Sequence, residues 1–245
     1  MLLDIVLPQR CVVCRHVGAQ LCGACRANLP RVCPPHCERC GTPTVWPVSR
    51  CAECSGRRLA FARARSAVVY DDAVRTLVAA WKERGLRSLA REAATVVAEL
   101  LEPAQAPLAF VPPDPERRRR RGDHAAGALA RELATRWDVP LLQLLERRPG
   151  QRQRGLSREQ RRANVRGAFS SRPAPRRVVL VDDVYTSGAT ANAAASALRR
   201  AGARRVEVVT FARVVLGYTV RTQARSPPRG GRVATSGEGP EPRDQ

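Results

Sequence analysis

Residues 178–190 read Val178-Val179-Leu180-Val181-Asp182-Asp183-Val184-Tyr185-Thr186-Ser187-Gly188-Ala189-Thr190. The four consecutive apolar residues at the start are typical of a strand buried on both faces. Two carboxylates follow, then a loop of hydroxyl residues and glycine, then a helix of small residues. This order predicts a ligand site at the carboxyl end of a buried strand.

Each part of this segment can hold a different part of a ligand. The adjacent carboxylates of Asp182 and Asp183 can accept hydrogen bonds from a vicinal diol or can meet a hydrated Mg²⁺ ion. The amides and hydroxyls from Thr186 to Thr190 can surround a phosphate where the helix begins. A diol next to a phosphate describes ribose 5-phosphate. The plainer alternative is an Asp pair that only ends a strand, with Thr190 as a helix N-cap.

Other phosphate-handling classes do not fit the sequence. A receiver domain needs a phosphorylatable Asp and a Lys after its acidic pair, but no Lys follows residue 183 and the next Asp is Asp244. Neither a Walker A loop nor a strand-associated G-x-G-x-x-G motif occurs.

The cysteines indicate metal binding. All nine lie between Cys11 and Cys54, and eight form four C-x-x-C pairs. These pairs are Cys11/Cys14, Cys22/Cys25, Cys37/Cys40 and Cys51/Cys54. Because each pair points two thiolates at one tetrahedral ion, four pairs complete two Cys₄ zinc sites, by sequential or interleaved pairing. Cys33 is left over, and His16 and His36 are possible substitute ligands.

A disulfide framework is the alternative for these cysteines, and it requires an oxidising compartment. The sequence has no signal-peptide pattern and no apolar stretch of transmembrane length, so we expect a cytoplasmic protein without membrane insertion. Structural zinc, about two ions per chain, is then expected to fold the cysteine-rich segment, which is too short and too poor in large apolar residues to fold by burial alone.

The rest of the chain alternates strand and helix patterns, which indicates a mostly parallel sheet. The expected strands are 62–70, 108–111, 178–181 and 206–211. The expected helices are 73–84, 86–101, 125–137 and 191–201, the last with Gly202 as its C-cap. We divide the chain into a zinc domain (1–58), an α/β domain (59–216) and a disordered basic tail (217–245).

The segment 178–190 resembles the phosphoribosyl-pyrophosphate (PRPP) loop of type I phosphoribosyltransferases. The resemblance implies that PRPP binds to Asp182, Asp183, Val184, Tyr185, Thr186, Ser187, Gly188, Ala189 and Thr190. Asp182 and Asp183 would hold the ribose hydroxyls, as the catalytic pair, and the residues from Thr186 to Thr190 would hold the 5′-phosphate. Mg²⁺ would accompany PRPP.

Much of the net charge of +21 comes from arginines between residues 117 and 166. In a phosphoribosyltransferase-like sheet, the segment after strand 108–111 meets pyrophosphate, and its guanidinium groups could neutralise that leaving group. This segment contains Arg117, Arg118, Arg119, Arg120 and Arg121. A solvated basic loop is the alternative. Further arginines between 152 and 166 could line the same cleft or bind a nucleic-acid backbone.

The order of these features resembles the ComF family of competence-associated, phosphoribosyltransferase-like proteins, also called GntX-like. The resemblance rests on the four C-x-x-C pairs, the PRPP loop and a Q-x-x-L-S-x-x-x-R-x-x-N-x-x-G-A-F pattern at 153–169. It implies a double zinc ribbon before a type I phosphoribosyltransferase fold, a mostly parallel α/β sheet with helices on both faces. Where the family has R-G-F-N-Q, this chain has Arg121-Gly122-Asp123-His124-Ala125.

The resemblance implies two functional hypotheses. The first is pentosyl transfer from PRPP with release of pyrophosphate, in a protein linked to DNA uptake and transformation. The second is a non-catalytic protein that binds single-stranded DNA or a protein of the competence machinery, with the PRPP pocket as a regulatory or vestigial site. No residue is an obvious general base, since a lone His124 is more often a surface or helix-start residue.

Overall fold

The computed structural model describes residues 9–113, 124–148 and 167–215. The arginines at 117–121, those between 152 and 166 and the tail 217–245 lie outside these ranges. In chain order the elements are α1 (Gly23–Ala27), β1 (Arg63–Val69), α2 (Asp72–Glu83), α3 (Ser88–Leu100), β2 (Leu108–Phe110), α4 (Ala125–Trp137), β3 (Leu145–Arg147), β4 (Phe169–Ser171), β5 (Arg177–Tyr185), α5 (Ala189–Arg200) and β6 (Arg205–Arg213).

Four strands form a parallel sheet in the order β1-β6-β5-β2, and β3 pairs with β4 in a separate antiparallel ribbon. Alternate residues of β5 enter two cores on opposite faces of the sheet. Val179 and Val181 enter the first core, which α2, α3 and α4 cover, whereas Val178 and Leu180 enter the second core, under α5 and the β3–β4 ribbon. The apolar run is therefore buried on both faces, as expected of a central parallel strand.

Local sequence explains how several helices begin and end. Asp71 caps α2 by accepting a hydrogen bond from the amide of Val74 at 2.8 Å. His124 caps α4 in the same way, and its Nδ1 accepts from the amide of Gly127 at 3.1 Å. His124 is therefore the helix-start residue that the sequence suggested.

The structure corrects three predicted boundaries. β5 extends from residue 177 to 185 because β6 continues beside it, with Tyr185 in register with Arg213, so the acidic pair lies inside the strand. Helix α5 begins at Ala189, two residues early, with Gly188 as its N-cap, so Thr190 is not the cap. Its C-cap is Ala201, and the predicted cap Gly202 is the next residue, with a φ of 109°.

Candidate ligand site and metal centres

The two carboxylates of β5 have different partners. Asp182 accepts a hydrogen bond at 2.9 Å from the backbone amide of Asp183. Asp183 forms an ion pair with Lys82 of α2, with 2.6 Å between Oδ1 and Nζ. The Asp183 side chain is 13% exposed and that of Lys82 is 35% exposed, so this pair is partly shielded from water.

Burial of Asp182, reinforced by the charge of Asp183, raises the pKa of the Asp182 carboxyl to about 8. Both effects favour the protonated carboxyl when no ligand is present. Hydroxyl donors or a cation at the pair would favour the ionised form. The arrangement can consequently hold either a diol or a hydrated metal ion.

A loop at the end of β5 leads into the first turn of α5. Gly188 has a φ of 70°, a left-handed conformation that favours glycine. Thr186 and Ser187 are exposed, and within the described part of the chain the amides of Thr186, Ser187 and Gly188 donate no hydrogen bond. Free amides beside a helix N-terminus are suited to a phosphate group.

The two residues between the acidic pair and this loop point into the protein. Val184 packs against the first core, and Tyr185 is 4% exposed in the second core. A ligand above the loop can reach these two residues through their backbone only.

Two further residues act on the acidic pair and were not predicted from the sequence. Lys82 is the sole lysine of the chain, a signal that could have drawn attention to it. Arg147 of β3 lowers the pKa of Asp182 by its charge, against the larger effect of burial, and its guanidinium lies 5.5 Å from the ring centroid of Phe169. Nothing in the sequence marks Arg147 among the other arginines.

His124 lies close enough to the acidic pair for the charges of Asp183 and Lys82 to act on it. Burial lowers the pKa of its imidazole, while the charge of Asp183 acts in the opposite direction. Its ring packs edge-on against Phe110, with 5.8 Å between ring centroids. Its cap and ring contacts make it a structural residue next to the site.

The cysteines form two compact groups by sequential pairing. The first cluster contains Cys11, Cys14, Cys22 and Cys25, and the second contains Cys37, Cys40, Cys51 and Cys54. Within each cluster the sulfur atoms all lie within 4.8 Å of one another. Cys33 is exposed outside both clusters, and neither His16 nor His36 joins them.

The clusters fit zinc in both spacing and hydrogen bonding. Four sulfurs at the usual Zn–S distance are separated by about 3.8 Å in a tetrahedron, and Cys40 and Cys51 are 3.4 Å apart while Cys37 and Cys54 are 3.7 Å apart. Burial acts to raise the pKa of Cys37, but amide donors from Cys40 and Cys51 outweigh it and lower the pKa to about 7. These are structural zinc sites, since all four positions come from protein.

Comparisons with known families match both the cysteine-rich segment and the α/β part of the chain. Residues 2–56 match the family model of the double zinc ribbon domain, and residues 86–224 match that of the phosphoribosyl transferase domain. None of the helices in the described residues combines the length and the apolar character needed to cross a membrane.

The chain is also similar to two curated proteins over most of its length. It is 30% identical over 223 residues to "Competence protein F" of Haemophilus influenzae, covering 83% of this chain and 96% of that protein. It is 24% identical over 204 residues to "Competence protein ComFC" of Streptococcus pneumoniae, covering 81% of this chain and 90% of that protein. A solved structure, the allosteric regulatory enzyme of purine biosynthesis, aligns with a TM-score of 0.37 and 22% identity, over 51% of this chain and 25% of that one. The domain order and the competence relatives together show that the chain belongs to the ComF family of phosphoribosyltransferase-like proteins.

Proposed function

We propose that this protein binds PRPP at the carboxyl end of β5 and transfers its ribosyl 5-phosphate group to an acceptor, releasing pyrophosphate. The main support is the acidic pair, followed after two inward-pointing residues by a loop with free amides and a left-handed Gly188. A diol-binding pair and a phosphate-binding loop in one segment match the two polar ends of ribose 5-phosphate.

The protein would act mainly by positioning PRPP and neutralising charge. Asp182 and Asp183 would accept hydrogen bonds from the ribose hydroxyls, and the loop amides would donate to the 5′-phosphate. Mg²⁺, when bound with PRPP, would supply positive charge for the pyrophosphate, together with the arginines at 117–121. The bond from the ribose carbon to pyrophosphate breaks, and an acceptor nucleophile then captures the oxocarbenium-like centre.

The names of the relatives support a role in competence. We infer that the protein works in the cytoplasm on a step linked to DNA uptake, in contact with single-stranded DNA or another protein of the competence machinery. The division into a double zinc ribbon (1–58) and a phosphoribosyltransferase-like domain (59–216) is part of this proposal.

The test is a calorimetric titration of zinc-replete protein with PRPP and Mg²⁺, in the wild type and in Asp183→Asn. The variant loses the charge that the diol and Lys82 share, so we expect it to bind PRPP about tenfold more weakly or worse. Asp138→Asn is the matched control, because Asp138 is exposed and its left-handed φ of 50° suits asparagine. Equal binding by wild type and Asp183→Asn would remove the assignment.

One observation favours the non-catalytic alternative. An open cavity of about 580 Å³ at the amino ends of β5 and β6 is lined by Arg176, Arg177, Arg204 and Arg205. This basic patch lies at the opposite end of the sheet from Asp182 and could hold a phosphate backbone. Salt-dependent binding of a single-stranded oligonucleotide that weakens in Arg176→Gln/Arg204→Gln, without PRPP binding, would favour the alternative.

A further inference from the structure

The second zinc cluster is joined to the α/β domain through a buried arginine. Arg213, at the end of β6, is 0% exposed and donates hydrogen bonds to the carbonyl of Cys40 at 2.6 Å and to the hydroxyl of Thr42 at 2.5 Å. The Thr42 hydroxyl in turn lies 3.2 Å from the sulfur of Cys40 and donates to Glu53 at 2.9 Å. One side chain of the sheet therefore fixes the backbone and the surroundings of a zinc ligand.

The same arginine supports the residue beneath the phosphate loop. Its guanidinium carbon lies 5.1 Å from the ring centroid of Tyr185, the register partner of Arg213 in β5. The Tyr185 hydroxyl fills the space next to Gly188, where an added Cβ atom would lie only 2.2 Å from the hydroxyl oxygen. The buried hydroxyl has no hydrogen-bond partner within the described residues, so packing holds the ring in place.

A second contact links this part of the ribbon to the helix that follows the loop. Ala60, six residues after the ligand Cys54, donates its amide to Oδ1 of Asn192 at 2.7 Å. Asn192 lies in the first part of α5 and donates its own amide to the carbonyl of Gly188 at 2.9 Å. The loop is thus held from the second cluster at two points, through Tyr185 and through Asn192.

The first zinc cluster lies on the other face of the sheet. Cys11 belongs to the first core, and Arg26 of the same segment lies 3.9 Å from both Glu92 and Glu99 of α3. Among the described residues, the contacts of this cluster lead to α3 and β1 rather than to the phosphate loop. The two clusters are therefore not equivalent with respect to the loop.

We propose that Arg213 and Tyr185 are positioning residues that couple the second zinc cluster to the phosphate loop, so that zinc in this cluster strengthens binding of ribose 5-phosphate. The proposal rests on the proposed function. A fully buried guanidinium needs fixed partners. Its partners are the Cys40 carbonyl, the Thr42 hydroxyl and the Glu53 carboxylate. Zinc held by the four cysteines keeps the Cys40 carbonyl in place, and loss of the ion releases this part of the chain.

The first test compares two part-buried cysteines, Cys51→Ser in the second cluster and Cys25→Ser in the first. Zinc analysis should show one ion fewer in each variant. Calorimetric titration with ribose 5-phosphate should show binding at least about fivefold weaker in Cys51→Ser and within about twofold of wild type in Cys25→Ser. Equal effects of the two variants, or none, would overturn the proposal.

A second comparison leaves the cysteines intact. Arg213→Lys keeps the positive charge, but one ammonium group cannot span the Cys40 carbonyl and the Thr42 hydroxyl while stacking on Tyr185. We expect it to weaken ribose 5-phosphate binding as Cys51→Ser does. Arg63→Lys is the control, because Arg63 pairs with Glu207 at 2.8 Å on the same sheet, away from the loop.

The wild type provides a test that needs no variant. Because coupling between two sites is reciprocal, saturating ribose 5-phosphate must raise the affinity of the second cluster for zinc by the same factor by which zinc in that cluster raises the affinity for ribose 5-phosphate. Competition with a chromogenic zinc chelator measures this affinity. An unchanged zinc affinity in protein that binds ribose 5-phosphate overturns the coupling alone. Wild type that binds PRPP but no ribose 5-phosphate overturns this inference alone. Wild type that binds neither ligand overturns the proposed function, and this inference with it.

Discussion

The acidic pair of β5 depends on a side chain from a distant helix. Lys82 contacts Asp183 directly, and a ligand that hydrogen-bonds to Asp183 lies within reach of the same amine. Since Lys82 is the only lysine, amine-selective reagents modify this residue and, apart from it, the chain's terminal amine. The site therefore contains its own chemical reporter.

We expect PRPP with Mg²⁺ to slow reductive methylation of Lys82, because the bound ligand covers the amine. Peptide mass spectrometry measures the rate, and the terminal amine of the same chains is the internal control. We expect the methylation rate to fall about tenfold at saturating PRPP, which corresponds to a free-energy difference of about 1.4 kcal/mol. An unchanged rate at saturating PRPP would show that the ligand does not reach Lys82.

The raised pKa of Asp182 predicts a pH dependence of binding. In the free protein burial and the charge of Asp183 raise the pKa of this carboxyl to about 8, whereas the ionised carboxylate is the stronger acceptor for a diol donor. Binding therefore releases a proton, and affinity should rise with pH below 8, by up to about tenfold per unit, and then level off. Titrations at several pH values in wild type and Asp182→Asn isolate this effect from ionisation of the PRPP phosphates. If the affinity of both proteins rises equally with pH, the proton released on binding does not come from Asp182.

At the level of elements, the sequence predicts what is local and periodic. Helix 125–137 was predicted with both ends correct, and the strands of the parallel sheet were found within a few residues. The β3–β4 ribbon was missed because each of its strands has three residues with one apolar side chain among them, which shows neither a period nor the apolar run that marked β2. The PRPP-loop motif was readable because it is contiguous, whereas Lys82 and Arg147 reach the acidic pair only through the fold.

The turn from β5 into α5 is the element most sensitive to substitution. We expect Gly188→Ala to lower the free energy of unfolding by about 1 to 3 kcal/mol or more, because alanine is strained at a φ of 70° and its Cβ meets the Tyr185 hydroxyl. Urea unfolding measures the change. Gly23→Ala is the control, since a Cβ there meets nothing within 4 Å and helix α1 favours alanine. Similar costs for the two substitutions would contradict the predicted strain.

At the level of the whole molecule, the zinc ribbon is part of both cores. The first core includes Cys11, Leu21 and Leu29, and the second includes Cys37 and Cys54. Spacing alone left the cysteine pairing open, and no sequence pattern indicates that the ribbon residues pack into the cores of the α/β domain. The zinc ions should therefore stabilise more of the protein than the segment that binds them.

Removal of both zinc ions should destabilise the α/β domain as well as the ribbon. Trp81 reports on that domain, since it is 5% exposed in the first core and packs against Phe211 with 6.5 Å between ring centroids. A Trp46→Phe background removes an exposed ribbon tryptophan and leaves Trp81 and Trp137, both in the α/β domain. In this background we expect chelation to lower the midpoint of thermal unfolding seen by tryptophan fluorescence. A decrease of several kcal/mol in the free energy of unfolding lowers the midpoint temperature by at least about 10 °C for a chain of this size. Re-addition of zinc should restore the midpoint. An unchanged fluorescence transition in zinc-free protein would instead show that the ribbon folds and unfolds independently of the sheet.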